Sequence, residues 1–490
     1  MNLNKLKSAF KQAIVYGIAT IFPRIVSVLL VRLHTDKSVL EDISDYGDLS
    51  IIFSYIILFN VILSYGLETA FFRFFNSYSK KSNVVSTSSI SIFLTSLAFL
   101  AFGLTFTDQI SNFIGIRADY LYLVIWILVL DSLVVIPFAY LRLNQKAIRY
   151  TLIKIFNVIV NISLNIFFLI FLKNNHSQSK VLDKIYFENF EINYIFISLL
   201  ISSALTFLVM TNFYFKIQYK IDFKLLKQML KYSVPILVAG LAYSINESFD
   251  KILLDYFDVD KAQIGMYAAC YKLALFITLF STAFKLGIEP FIFSIAKNNS
   301  AEKAYALILE VFVILGSFIL ITVVVFIDLL KFFFIGDSAY WEALYIVPII
   351  LFANLFLGIY QNLSVWYKVT DKTKFGAYIS SFGAVITLSV NIALIPYYGY
   401  LGSALATFLA YFVMAIISYC IGQRHYPIPY NLPKICAYIM LSTFFAFTSF
   451  YIFPGNYYFG IGILITLGLV IIKFEKNTIK LINNENWDNK

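Results

Sequence analysis

The stretch AYALILEVFVILGSFILITVVVFI, residues 304–327, carries a single charge, Glu310, in an otherwise almost wholly apolar run. At about 1.5 Å of rise per residue, a helix of this length crosses the roughly 30 Å hydrocarbon core of a bilayer. A helix on the surface of a soluble protein needs a polar face recurring with a period near 3.6, and this run has none. It reads as a membrane span.

Working outward from it, about fourteen runs of this kind follow one another. In the first half they cover approximately 9–33, 48–72, 84–107, 118–141, 150–172 and 192–215. The second half adds 232–256, 263–292, 304–327, 341–366, 375–396 and 399–422, and a final pair lies at 434–453 and 457–474. Composition agrees: 60% of the chain is hydrophobic, 13% is charged and the mean hydropathy is +0.79. A soluble domain carries roughly 25% charged residues, and this chain has too few to cover a surface in water. Its Phe and Tyr content (51 and 35 residues) suits lipid-facing and interfacial positions. The expected fold class is an all-α integral membrane protein.

The formal charge of +10 does not point to nucleic acid, because the basic residues sit in short segments between apolar runs. Cys270, Cys420 and Cys436 lie in or beside such runs, with neither pairing nor ligand spacing, and read as small packing residues. No metal and no cofactor is expected, and no Gly-x4-Gly-Lys-[Ser/Thr] phosphate loop supports an ATP-driven pump. Lys5, Lys7 and Lys11 precede an apolar run too long for a signal peptide, so the first span is expected to stay uncleaved.

Charge sets the orientation. Twenty-five basic residues, among them Arg142, Lys146, Arg149, Lys216, Lys220, Lys224, Lys227, Lys231, Lys372, Lys374 and Lys490, fall on the side of the N-terminus; eight, Arg32, Lys37, Arg117, Lys173, Lys180, Lys184, Lys261 and Lys331, fall opposite. The first side leads by about three to one, which predicts both termini in the cytoplasm. The opposite loops are short, the longest running about 20 residues between the fifth and sixth spans, and leave no room for a catalytic domain. An enzyme is therefore not expected.

A self-match recurs at a shift of about 225 residues. Leu121-Tyr122 and Ile127-Leu128 return as Leu344-Tyr345 and Ile350-Leu351, which sets Asp131 opposite Asn354. Ser163-Leu164-Asn165-Ile166 returns as Ser389-Val390-Asn391-Ile392, and Leu29-Leu30 as Leu253-Leu254. The shift spans six helices, an even number, so the two copies enter the membrane in the same sense. Two parallel-repeat six-helix lobes are a transporter architecture. The expected divisions are 1–218 for the N-terminal lobe, 219–424 for the C-terminal lobe, and 425–490 for a helix pair with a cytoplasmic tail.

Ionisable groups inside a bilayer are costly and are functional candidates by default. Here they are Arg24, Glu68 and Asp131 in the first lobe, then Glu247, Asp250, Lys251, Lys272, Lys285 and Glu289 in the second. Asp131 and Asp250 are candidates for ion coupling, although Asp250 with Lys251 also reads as an internal pair. Glu68, Arg73, Lys285 and Glu289 lie near the cytoplasmic side and snorkel. Lys154, Asn157, Asn161 and Asn165, spaced 3, 4 and 4 apart, share one helix face. Such a face either lines a hydrated cavity or hydrogen-bonds neighbouring helices.

Several stretches carry a family likeness: Tyr65-Gly66 through Phe71-Phe72-Arg73; Asp250-Lys251-Ile252-Leu253-Leu254 with Gly265-Met266-Tyr267 and Tyr271-Lys272-Leu273; Glu289-Pro290-Phe291; and Asn391 to Pro396 followed by Gly399, Gly402-Ser403-Ala404 and Ala406-Thr407. With these the chain resembles the polysaccharide/oligosaccharide flippases (Wzx-like) of the multidrug/oligosaccharidyl-lipid/polysaccharide (MOP) exporter superfamily. The likeness runs over nearly the whole chain, and fourteen spans suit the flippases better than the twelve usual in drug exporters. It implies a V-shaped pair of lobes around a central cavity, alternating access, and an undecaprenyl-pyrophosphate-linked oligosaccharide as cargo for surface polysaccharide synthesis. It implies a bacterial cytoplasmic membrane, a monomer, and company from membrane lipids and the glycosyltransferases and glycan polymerase of the same pathway. In related lipid II flippases an arginine of the first span lines a cationic cavity, and Arg24 is the matching residue.

That cargo carries at least two negative charges across a low-dielectric core. Arg24, Lys251 and Lys272 are the expected pyrophosphate contacts, replacing its hydration by charge-assisted hydrogen bonds. Asn157, Asn161 and Asn165 are the expected polar lining for the sugar. The competing reading is an ion-coupled small-molecule exporter of the same superfamily, with a carboxylate-centred site around Asp131.

Overall fold

In the computed structural model, residues 3–296 and 301–475 are described, with side chains from Gly17 onward except Pro290. Lys297, Lys476, Lys480 and Lys490 lie outside the described residues. Every regular element among the described residues is helical. Fourteen stretches are long and apolar enough to cross a membrane. They are, in order, Gly17–His34, Ile43–Ser77, Lys81–Thr105, Ala118–Leu143, Ala147–Gln178, Glu191–Tyr214 and Phe223–Tyr256, then Leu275–Ile295, Ala301–Val325, Ser338–Val369, Lys374–Tyr398, Tyr400–His425, Leu432–Ile452 and Tyr457–Phe474. Each corresponds to one run read from the sequence. The chain is an all-α, multi-pass membrane protein.

Several spans are broken, and neighbours take up the backbone groups that the breaks release. The second span divides at Tyr65 and Gly66, both at positive φ (32° and 70°), into Ile43–Ser64 and Leu67–Ser77. A Cβ on Gly66 would lie 2.7 Å from the Ser233 carbonyl, so only glycine fits this turn. The fourth span breaks at Val134, where the Tyr214 hydroxyl donates to the Leu133 carbonyl at 2.5 Å. The run expected at 263–292 is two helices, Lys261–Leu273 and Leu275–Ile295; at their junction Asn354 Nδ2 donates to the Ala274 carbonyl at 3.1 Å. Without water in the bilayer, a break survives only where such partners exist.

By contacts the chain forms two compact units, Met1–Ala268 and Ala269–Lys490. This partition is drawn on packing, whereas the self-match in the sequence led to an expected division near residue 218. The first unit takes in the seventh span because that helix packs along the second span. The same unit contains a backbone-to-backbone crossing: a Cβ on Gly47 would collide with the Lys261 carbonyl, and one on Gly265 would lie 2.7 Å from the Ile43 carbonyl. Close approach through small residues is how helices associate in lipid, where no hydrophobic force drives them together. Lys261 and Asp48 form an ion pair at 2.5 Å beside that crossing.

In the second unit the tenth span is the interior helix, 83% buried over its apolar window, against 17% for the fourteenth. Glu310, the one charge of the opening stretch, meets Lys434 of the thirteenth span at 2.9 Å. Lys434 also reaches the buried Glu475 at 2.6 Å, and Tyr438 donates to Glu475 at 3.1 Å. This cluster ties the last two spans to the ninth.

Candidate functional site

The sequence-expected residues occupy three separate settings. In the first unit Arg24, half-buried on the first span, and Glu247 on the seventh both act electrostatically on the hydroxyl of Tyr243. Tyr243 and Glu247 are one helical turn apart and therefore share a face. Tyr243 keeps 50% of its surface accessible, and Arg24 and Glu247 are half-buried. Tyr243 was not among the expected site residues, although its spacing to Glu247 was legible.

Asp250 lies one turn beyond Glu247 and is buried. Its Oδ1 accepts from both the backbone N–H and the Nζ of Lys251, each at 2.9 Å, and its Oδ2 accepts from the Tyr267 hydroxyl at 2.5 Å. The Lys251 ammonium stands 5.4 Å from the centre of the Tyr267 ring. These contacts fasten the end of the seventh span to the helix that follows it. Lys272 belongs to the second unit and is half-buried on the last turn of Lys261–Leu273.

The third setting is the polar face of the fifth span. Asn157 Nδ2 donates to Thr206 of the sixth span at 3.0 Å. Asn165, fully buried, donates to the backbone carbonyl and Oδ1 of Asn161, while its own Oδ1 lies 2.9 Å from His34 Nε2 of the first span. Lys154 stands over the Phe138 ring at 4.4 Å, within electrostatic reach of Asp131 and Glu68. Asp131 accepts from Ser203 of the sixth span at 2.8 Å. The face joins the fifth span to its neighbours, and Asn157 and Asn161 remain only half-buried. His34 and Thr206 were not foreseen as its partners, nor Ser203 as that of Asp131, because each lies far away in sequence.

Three of the residues expected to snorkel have partners. Glu68 pairs with Arg142 at 2.9 Å, and Arg73 stacks on Tyr232 at 4.3 Å. Glu289 pairs with Lys368 at 3.5 Å beside Lys285.

The fold and the groups between its helices define a many-spanned helical membrane protein with ionisable side chains inside its spans. The comparisons narrow this. The model of the polysaccharide biosynthesis protein family matches residues 6–284, more than half of the chain. The chain belongs to that family. No curated protein sequence matches it. Among solved structures it is similar to the lipid II flippase MurJ in an inward closed conformation, with TM-score 0.73, 18% identity, and coverage of 95% of this chain and 100% of that one. It is also similar to an inward-facing MATE multidrug resistance transporter of the MOP superfamily, with TM-score 0.65, 13% identity, and coverage of 86% and 96%. A MOP superfamily transporter from Pyrococcus furiosus matches with TM-score 0.60, 14% identity, and coverage of 88% and 96%. These likenesses give the fold: that of a MOP-type transporter.

Proposed function

We propose that the chain is a flippase that carries an undecaprenyl-pyrophosphate-linked oligosaccharide across the bacterial cytoplasmic membrane by alternating access. It supplies surface polysaccharide synthesis, with both termini in the cytoplasm. The observation that carries the reading is membership of the polysaccharide biosynthesis family, supported by the placing of Arg24 and Glu247 within electrostatic reach of the Tyr243 hydroxyl in the first unit. Arg24 cannot shed its charge and presents a planar fork that matches a phosphate. In this reading Glu247 balances Arg24 while no cargo is bound, and the pyrophosphate displaces it. Lys272, on the second unit, is itself proposed as a point charge for the pyrophosphate. Lys251, held by Asp250, contributes to cargo binding only when that pair opens. Asn157 and Asn161 offer amides to the sugar, and Asp131 and Asp250 are the candidates for coupling to an ion gradient.

The second reading, an ion-coupled small-molecule exporter, is favoured by the Asp131–Lys154 neighbourhood, a titratable couple inside the first unit. Deletion of the gene separates the two. A flippase leaves lipid-linked oligosaccharide accumulated on the cytoplasmic leaflet with drug efflux unchanged. Altered drug accumulation with normal surface glycan establishes the exporter and overturns the flippase.

A further inference from the structure

The first unit contains a cavity of about 720 Å³ that none of the roles above uses. That volume falls in the range of roughly 300–1,000 Å³ typical of sites for small molecules. It lies at one end of the second to sixth spans, on the side that the charge bias assigns to the cytoplasm. Lys81, Lys146, Arg149 and Lys216 line it, and no carboxylate does. Among the described residues none of these four cations makes an ion pair. The Lys81 ammonium rests over the Phe75 ring at 5.1 Å.

Two further features point to an anion. The third and fifth spans both begin here, at Lys81 and Ala147; neither has an acidic residue in its first turn, and neither N-cap side chain bonds the helix. Lys81 and Ser82 of the one and Lys146 and Arg149 of the other line the cavity, so two positive helix ends lie at its wall, an arrangement that attracts phosphate. Ser86, which also lines the cavity, is 1% exposed, and its hydroxyl has no hydrogen-bond partner. A buried hydroxyl left unmatched costs free energy unless something fills the space beside it.

We infer that this cavity binds the phosphate of an anionic lipid headgroup from the cytoplasmic leaflet. Basic pockets between membrane helices on that side are suited to such headgroups. The lipid source is favoured over free phosphate by the apolar part of the wall: Val209 lines the cavity yet is 43% exposed, and Phe215, 81% exposed, stands next to the lining residue Lys216. These are surfaces for an acyl chain beside a site for its head. The inference does not depend on the identity of the cargo.

The test is native mass spectrometry of the full chain in detergent, titrated with phosphatidylglycerol, phosphatidylcholine or inorganic phosphate. Wild type is expected to retain one phosphatidylglycerol, with phosphatidylcholine at least tenfold weaker. The triple variant Lys146→Ala/Arg149→Ala/Lys216→Ala loses that retention by tenfold or more, and Ser86→Ala weakens it by about threefold. Lys372→Ala/Lys374→Ala, removing two exposed cations from the same expected side, leaves it unchanged. Should the triple variant fail to fold, Arg149→Gln alone is expected to weaken binding about threefold. Displacement of the lipid by equimolar phosphate makes free phosphate the ligand and overturns the lipid source while supporting the phosphate site. Equal retention of the two lipids, or equal loss in the Lys372/Lys374 variant, overturns the site itself.

Discussion

Asn165 and Asn391, which the sequence repeat sets opposite each other, are held in the same way. Each is buried, and each donates from Nδ2 to the carbonyl one turn back on its own helix: Asn161 at 2.8 Å and Thr387 at 2.7 Å. Each turns its Oδ1 to a different helix, Asn165 toward His34 Nε2 at 2.9 Å and Asn391 toward the Ser403 hydroxyl at 2.8 Å. The two asparagines share a geometry and differ in the partner. Near Asn391 the chain turns at Gly399, with φ 53°, and a Cβ on Gly402 would lie 2.8 Å from the Leu394 carbonyl. The glycine-rich motif between the eleventh and twelfth spans therefore allows the close approach that lets Ser403 reach Asn391.

Asn391→Ala is expected to lower stability by about 1–2 kcal/mol, since Ser403 loses its acceptor inside the protein. A double-mutant cycle with Ser403→Ala, followed by thermal unfolding in detergent, should give a coupling of about 0.6 kcal/mol, the average for membrane helices. A coupling of zero removes the bond from the account.

Asp250→Ala is expected to cost more, because the buried Asp250 carboxylate accepts from both Lys251 and Tyr267 and the change removes all of these bonds. Asp250→Asn keeps the shape and loses less. If Asp250 serves only to fasten helices, the Asn variant transports normally once folded. Loss of the response to an ion gradient, with unfolding temperature preserved, assigns it to coupling.

Much of this was legible. Hydropathy alone finds fourteen spans, since a bilayer imposes one length and one polarity on every crossing segment. The breaks at Val134 and Ala274 were not, because each is stabilised by a distant partner: Tyr214 for one, Asn354 for the other. Spacing placed Asn157, Asn161 and Asn165 on one face but not what that face meets, since His34 and Thr206 belong to other spans. Lys251 and Asp250, neighbours in sequence, read correctly as a candidate pair; Tyr267, which completes it, gave no local signal. Tyr243 was missed because an aromatic residue in an apolar helix is ordinary.

Topology has its own check. Reporter fusions after Lys220 and after Lys490 should both read cytoplasmic, as the basic asymmetry requires. An external signal at either position contradicts the orientation, and with it the cytoplasmic placement of the lipid-headgroup cavity.

Asp131 is tested by neutralisation. It accepts a hydrogen bond from Ser203, and Asn has the same shape with an oxygen in place to accept it. Asp131→Asn is therefore expected to fold, with an unfolding temperature within a few degrees of wild type. If Asp131 couples a proton or sodium gradient to transport, the folded variant flips cargo at a rate independent of the gradient. An unchanged gradient response assigns Asp131 to helix packing.

The central claim is that a fixed cation on the first span meets the cargo pyrophosphate, and flipping in proteoliposomes measures it most directly. Purified Arg24→Ala should insert and fold at wild-type yield yet move undecaprenyl-pyrophosphate-linked oligosaccharide at least tenfold more slowly. Arg24→Lys, which keeps the charge and loses the fork, should retain an intermediate rate. Wild-type flipping by Arg24→Ala at equal protein density would contradict the account, because the cation would then have no part in carrying the cargo.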